Sequence, residues 1–222
     1  MSIKSEDNQE IETYNEPKMS QCFNPDCLYQ NPADNNFCDK CGSKLLLTER
    51  YRGICYLGEG RFGKTFKAID EHQWDIPCVI KQFLPLKQGN AEHKRGFELL
   101  KKETMYLKNL AQHPQIPDLL AFFEQDGKLY LVQEFIDGHD LLKELEQRKR
   151  FSEQEVQQVL IDILSVLDFV HSHQVVHGDI KPENIIRKKN GSLVLINFGI
   201  AEEVSASVIK KIGIFMGNPS YG

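Results

Sequence analysis

His177-Gly178-Asp179-Ile180-Lys181-Pro182-Glu183-Asn184, followed after a hairpin by Asn197-Phe198-Gly199, decides how this chain of 222 residues is read. Three kinds of polar group are packed into eight residues: a carboxylate at Asp179, an ammonium two residues on at Lys181 and an amide five residues on at Asn184. A carboxylate placed in this way can orient an attacking hydroxyl, and an amide oxygen can ligate a hard metal ion. Asn190-Gly191 favours a tight two-residue turn, so the chain after Asn184 reads as a hairpin that delivers Asn197. A lone H-x-D arises by chance in many proteins, and His171, His173 and His177 also fit ordinary surface or core histidines.

Working outward, Ser152-Glu153-Gln154-Glu155 is a capping box. It predicts a helix with Val156, Val159, Leu160, Ile163, Leu167 and Val170 at core spacing, running into the His177 stretch. Residues 122–136 read as a hairpin turning at Asp126-Gly127, and 91–110 as a helix closed by His113-Pro114-Gln115-Ile116-Pro117. Gly58-Glu59-Gly60-Arg61-Phe62-Gly63 lies between two strand-like runs, 51–57 and 65–69, and glycines there let backbone amides close over phosphates. Gly58 to Thr65 also fits the P-loop pattern G-x-x-x-x-G-K-[ST] of nucleotidases. A P-loop opens a helix, however, whereas Thr65-Phe66-Lys67-Ala68-Ile69-Asp70 continues as a strand, which would point Lys64 into solvent.

In this order along one chain, these segments resemble the protein kinases. Most of all they resemble bacterial serine/threonine kinases of the cyanobacterial type that carry a four-cysteine segment before the catalytic domain. The likeness runs from Leu45 to Gly222 and includes Val79-Ile80-Lys81-Gln82-Phe83-Leu84-Pro85 and Lys181-Pro182-Glu183-Asn184-Ile185-Ile186-Arg187. It implies an α+β, protein-kinase-like fold over 51–222, with a β-rich N-lobe at about 51–136 and a helical C-lobe at about 137–222. It also implies ATP and Mg(II) as cofactors and phosphorylation of protein hydroxyls. Asp179 would then orient the acceptor, and Lys181 would lie against the transferred phosphate, favouring Ser or Thr. Gly58, Gly60 and Gly63 would cover the phosphates, and Lys81 would clamp them, paired with Glu103 rather than Glu98. Glu134 to Ile136 would meet adenine, and Asn184 and Asn197 would occupy the two Mg(II)-binding positions.

Three departures from that family qualify the expectation. Asn197 stands where the family places an aspartate, so a neutral amide replaces a charged ligand. Losing one preorganised electrostatic group costs about 10² to 10³ in rate. ATP binding is therefore expected to lose metal dependence, and phosphoryl transfer to fall steeply or vanish. Gly178 replaces the arginine that many kinases use to anchor a phosphorylated loop, which makes Ser205 and Ser207 simple loop serines rather than switches. Residues 217–222 resemble the stretch before A-P-E, with Asn218 in place of threonine, so the C-lobe reads as incomplete and C-terminally truncated. Part of the apolar face of the helix after Ser152 would then lack a partner, predicting poor solubility or a covering protein. The sequence thus supports a weakly active kinase or a non-catalytic pseudokinase that binds a partner, with a P-loop nucleotidase third.

Cys22-x4-Cys27 and Cys38-x2-Cys41, ten residues apart, form a second unit over 22–44, zinc-ribbon-like in pattern. Four thiolates at these spacings suit a tetrahedral Zn(II), and so short a segment needs such a staple. Reduced thiols in a flexible leader, or a redox-active C-x2-C, are the alternatives. Residues 1–21 read as a disordered polar leader, and Met19-Ser20-Gln21-Cys22 resembles the family's natural start. Cys55 and Cys78 read as small core residues. With 27 basic against 32 acidic residues there is no basic footprint for nucleic acid. No apolar run approaches a membrane span, and a cytoplasmic location without membrane partners is expected.

Overall fold

A computed structural model describes residues 19–60, 63–83, 91–111, 113–198 and 202–203. Within it, β1 (Met19–Gln21) and β2 (Gln30–Pro32) form an antiparallel hairpin. Next come β3 (Leu46–Leu47), β4 (Tyr51–Gly60), β5 (Gly63–Asp70) and β6 (Ile76–Phe83), then helix α1 (Ala91–Leu110). Strands β7 (Leu119–Gln125) and β8 (Lys128–Glu134) complete a six-stranded antiparallel sheet in the order β3-β4-β5-β6-β8-β7. Asp126 and Gly127, both at positive φ (51° and 68°), make the β7–β8 turn in the left-handed geometry that matches strand twist.

The second half is built on helices α2 (Leu141–Arg148) and α3 (Glu153–Ser172). Short strands surround them: β9 (Gly138–Asp140), β10 (Val175–Val176), β11 (Ile185–Lys188), β12 (Leu193–Leu195) and β13 (Glu202–Glu203). Strand β11 lies between β12 and β9, and β10 pairs with β13. The capping box forms as the sequence predicts, with Ser152 accepting from the Glu155 amide and Glu155 from the Ser152 amide.

Side chains alternate across a strand, so the sheet has two separate cores. On one face Phe83, Leu107, Leu110 and Leu131 join Ile163, Val166 and Val170 of α3 with Leu195 and Phe198. On the other, Tyr51, Phe66, Ala68, Cys78, Ile80, Tyr130 and Val132 pack against Phe23. Phe23 follows the first cysteine of the quartet, so the cysteine segment is the cover of that outer face.

Several expectations change here. Residues 19–21, expected in a disordered leader, form β1, with Ser20 and Gln21 buried. Residues 1–18, 61–62, 199–201 and 204–222, including Ser205, Ser207 and Asn218, lie outside the described residues. Lys64 does not point into solvent. It falls on the buried face of β5 with Phe66 and Ala68, and its ammonium reaches Glu59 at 2.8 Å. Val156 and Leu160 of α3, expected in the core, are exposed with Ile161 and Leu164, while Val166 is buried. The helix is apolar over more than half its circumference, and the packed stripe is Val159, Ile163, Val166 and Val170. Cys78 is buried as expected, whereas Cys55 is half-buried.

Candidate active site and cysteine cluster

The candidate active site forms where the inner face of the sheet meets the hairpin after the His177 stretch. Lys81 projects from β6 toward α1, where its ammonium is bonded to the Glu103 carboxylate. Glu103 is buried, whereas Glu98 of the same helix is exposed, so the structure brings Lys81 to the residue the sequence favoured. Breaking such a pair would strand a carboxylate away from water.

Lys81 also donates to Asn197 Oδ1 at 2.8 Å. Asn197 Nδ2 donates to Asn184 Oδ1 at 2.7 Å, and Asn184 Nδ2 donates to Asp179 Oδ2 and to the Asp179 carbonyl, both at 2.8 Å. Lysine can only donate and a carboxylate can only accept, so both amide orientations are set by the ends of this chain. Lys181 closes it, with its ammonium 3.1 Å from Asp179 Oδ2. Lys81, Glu103, Asn197, Asn184, Asp179 and Lys181, spread over a hundred residues of sequence, thus form one connected polar network.

Local backbone geometry puts them there. Gly178 has φ 78°, in the left-handed region where an arginine would be strained, and Asn197 has φ 67°, which asparagine tolerates better than most residues. His177, 1% exposed, ties the segment that carries Asp179 to the one that carries Asn197. Its Nδ1 accepts from the Asp179 amide at 3.2 Å, and its Nε2 therefore donates to the Ile196 carbonyl at 3.0 Å. Its ring packs edge-on against buried Phe198 at 4.7 Å. Burial pushes the His177 pKa down, keeping the ring neutral in this role. Sequence reasoning included His177 in the H-x-D stretch but gave it no role of its own, with an ordinary surface or core histidine as the alternative.

The three glycines differ in role. Among the described residues, a Cβ on Gly58 would meet nothing within 4 Å and one on Gly60 nothing nearer than 4.0 Å, which leaves both backbones open to a ligand on that side. On Gly63 it would lie 1.9 Å from the Gln82 carbonyl oxygen, so that glycine is required by the close approach of β6. Glu134 ends β8, its amide donating to the Asp118 carbonyl and its carboxylate 3.9 Å from the Lys188 ammonium; Ile136, just beyond, is buried.

The four cysteine sulfurs lie within 4.8 Å of one another. Cys22 and Cys41 are 3.6 Å apart and Cys27 and Cys38 3.7 Å, far too long for a disulfide. A tetrahedron of ~2.3 Å zinc–sulfur bonds has edges of about 3.8 Å, so the quartet fits this metal as it stands. The Asn24 amide donates to Cys22 Sγ at 3.4 Å, and Cys41 Sγ lies 3.3 Å from Ser43 Oγ, whose hydroxyl helps to push the Cys41 pKa down to about 6. The two residues expected to hold Mg(II) fit that ion poorly. Asn184 and Asn197 are neutral, and each amide oxygen already accepts an N–H bond.

A sheet-borne lysine paired with a helix glutamate and joined by hydrogen bonds to an aspartate–asparagine loop is the arrangement of phosphoryl-transfer enzymes of the kinase class. Residues 51–221 match the protein kinase domain family, and the chain belongs to it. It is 41% identical over 194 residues to serine/threonine-protein kinase B of Synechocystis sp., covering 86% of this chain and 34% of that protein. To serine/threonine-protein kinase PknA of Nostoc sp. it is 39% identical over 184 residues, covering 79% of this chain and 33% of that protein. The chain spans about a third of the length of the curated relatives it matches. Membership implies ATP and Mg(II) as the family's cofactors.

Proposed function

We propose that this chain binds ATP between the Gly58–Gly63 hairpin and Lys81 and is a serine/threonine protein kinase whose phosphoryl transfer is weak or lost. The observation that carries this reading is the Lys81–Asn197–Asn184–Asp179 chain of hydrogen bonds. Lys81 and Glu103 supply the fixed cation for the phosphates, and Asp179 with Lys181 the place for an acceptor hydroxyl. Asn197 answers Lys81 with a dipole instead of a charge and occupies the Asn184 oxygen with its own amide. That arrangement favours nucleotide binding over metal-assisted chemistry, which also suits a pseudokinase acting through a protein partner. Glu134 and Ile136 are the candidate adenine contacts. Strand β5 continues directly from Gly63, and Lys64 is tied to Glu59, so the P-loop reading has no helix and no free lysine to stand on.

The same proposal gives the cysteine quartet one structural Zn(II) and the protein a cytoplasmic location; among the described residues no helix is long and apolar enough to cross a membrane. The test is nucleotide binding by calorimetry and phosphoryl transfer on the purified chain, with and without Mg(II). Binding with little metal dependence is expected, lost in Lys81→Ala and kept in Lys64→Ala, with transfer near the Asp179→Ala background. Binding that survives Lys81→Ala and fails in Lys64→Ala would refute the assignment.

A further inference from the structure

The cysteine segment is seated on the sheet directly behind Lys81. Strand β6 carries Cys78, Ile80 and Gln82 on its outer face and Lys81 on its inner face. Gln82 is 1% exposed, and its Nε2 donates to the Phe23 carbonyl at 2.8 Å and to the Tyr130 hydroxyl at 3.1 Å. Its Oε1 is buried and has no hydrogen-bond partner among the described residues, and the two bonds of Nε2 are what hold the side chain there. The Phe23 carbonyl and the Asn24 amide are the two ends of one rigid peptide plane. That amide donates to Cys22 Sγ. One peptide therefore joins a sulfur of the quartet to the residue next to Lys81.

The seat is specific. A Cβ at Gly53 of β4 would lie 2.7 Å from the Gln21 carbonyl oxygen and 3.0 Å from the Phe23 ring, so only glycine lets the segment sit this close. Phe23 packs edge-on against Phe66 at 5.0 Å, and Arg52 donates to the Asn35 carbonyl at 2.9 Å from the neighbouring position.

We infer that the Phe23–Asn24 peptide and Gln82 couple the metal state of the cysteine quartet to nucleotide binding at Lys81, with Gln82 as a positioning residue. The inference rests on the reading of Lys81 as the phosphate-binding lysine. A Zn(II) held by Cys22, Cys27, Cys38 and Cys41 fixes the Cys22 sulfur, hence the plane of the following peptide, hence the height of Gln82 and of β6. Lys81 is then held between Glu103 and Asn197. Without the metal the peptide is free to turn, and β6 loses its outer anchor.

Coupling between two binding sites is reciprocal, which gives the test a readout that a merely structural segment would not move. On the full chain, ATP affinity is measured by calorimetry in the zinc-loaded and zinc-stripped forms. Zinc affinity is measured by chelator competition with and without ATP. Roughly a tenfold change is expected, equal in both directions, within the usual range of about 5- to 150-fold. Gly53→Ala and Gln82→Glu should keep one zinc per chain and reduce that factor to nearly one. Hydrogen exchange at Val79–Gln82 should quicken on zinc removal in the natural sequence. Equal ATP affinity in the two forms with unchanged exchange overturns the inference, as does failure to bind one zinc per chain. If neither form binds ATP, the phosphate-lysine reading falls instead, and exchange alone decides: quickening upholds the coupling and no change overturns it.

Discussion

Asn197→Asp tests the polar network directly. In the natural sequence the side chain accepts from Lys81 at 2.8 Å and donates to Asn184 Oδ1 at 2.7 Å. Aspartate strengthens the first contact, since it turns an ammonium–amide bond into an ammonium–carboxylate bond with charge on both partners. It has no proton for the second, and two oxygens then face each other across a hydrogen-bonding distance. Turning the Asn184 amide over does not help, because its oxygen would then face Asp179. The gain and the loss are each about 1–2 kcal/mol, so stability without metal should change little. With Mg(II) present the two facing oxygens become a cation site, one of them charged. A tenfold tightening of Mg-ATP over metal-free ATP corresponds to about 1.4 kcal/mol. At 2–4 °C per kcal/mol for a domain of this size, the melting temperature should rise by about 3–6 °C more with Mg-ATP than with ATP alone. The natural sequence should show almost no such difference, and transfer should rise by about 10² to 10³ in the variant. An equal response to Mg(II) in both proteins would refute the reasoning from the network.

Gly63→Ala drives a methyl group into the Gln82 carbonyl and should cost about 1–3 kcal/mol in urea unfolding, whereas Gly60→Ala, with open space around it, should leave stability unchanged and weaken ATP binding. Neutral His177 has a folded pKa below the ordinary 6.5, so its contribution is complete above about pH 6.5 and is lost as pH falls from there through the folded value. The urea midpoint should therefore be lower at pH 5.5 than at pH 7.5, and His177→Gln should flatten that slope, leaving the parts that belong to His113, which burial also shifts down, and to Cys41, whose lowered pKa of about 6 falls in the same window. Ser152→Ala removes the capping box of α3 and should lower stability by about 1 kcal/mol, read as a fall of about 2–4 °C in melting temperature.

The loop that decided the fold was legible because its chemistry is local: Asp179, Lys181 and Asn184 sit within six residues, and Asn190-Gly191 marks the hairpin that follows. The choice of Glu103 over Glu98 was legible from position along helix α1, since Glu98 lies nearer the helix start. Lys64 was not, because its burial depends on what covers the outer face of β5, and strand alternation does not name that cover. Val156 and Leu160 were misplaced because α3 offers more than one apolar stripe, and which one packs is settled by the sheet and hairpin it meets. His177 was noted in the H-x-D stretch, but its role was not legible, because it bonds with the carbonyl of Ile196, 19 residues away, a partner that leaves no mark in composition.

The match to the kinase family begins at residue 51, but the packing does not. Phe66, Ala68 and Ile80, each 0% exposed, and Tyr130, at 2%, are kept from water by a cover that includes Phe23, far upstream of that boundary. A shortened protein starting at Tyr51 would carry every residue of the candidate active site and still present a bare apolar sheet to solvent, an invitation to aggregate. For this chain the smallest unit that can be handled in isolation begins at β1, and preparations trimmed to the family boundary would report on a damaged lobe rather than on the chemistry of Asn197.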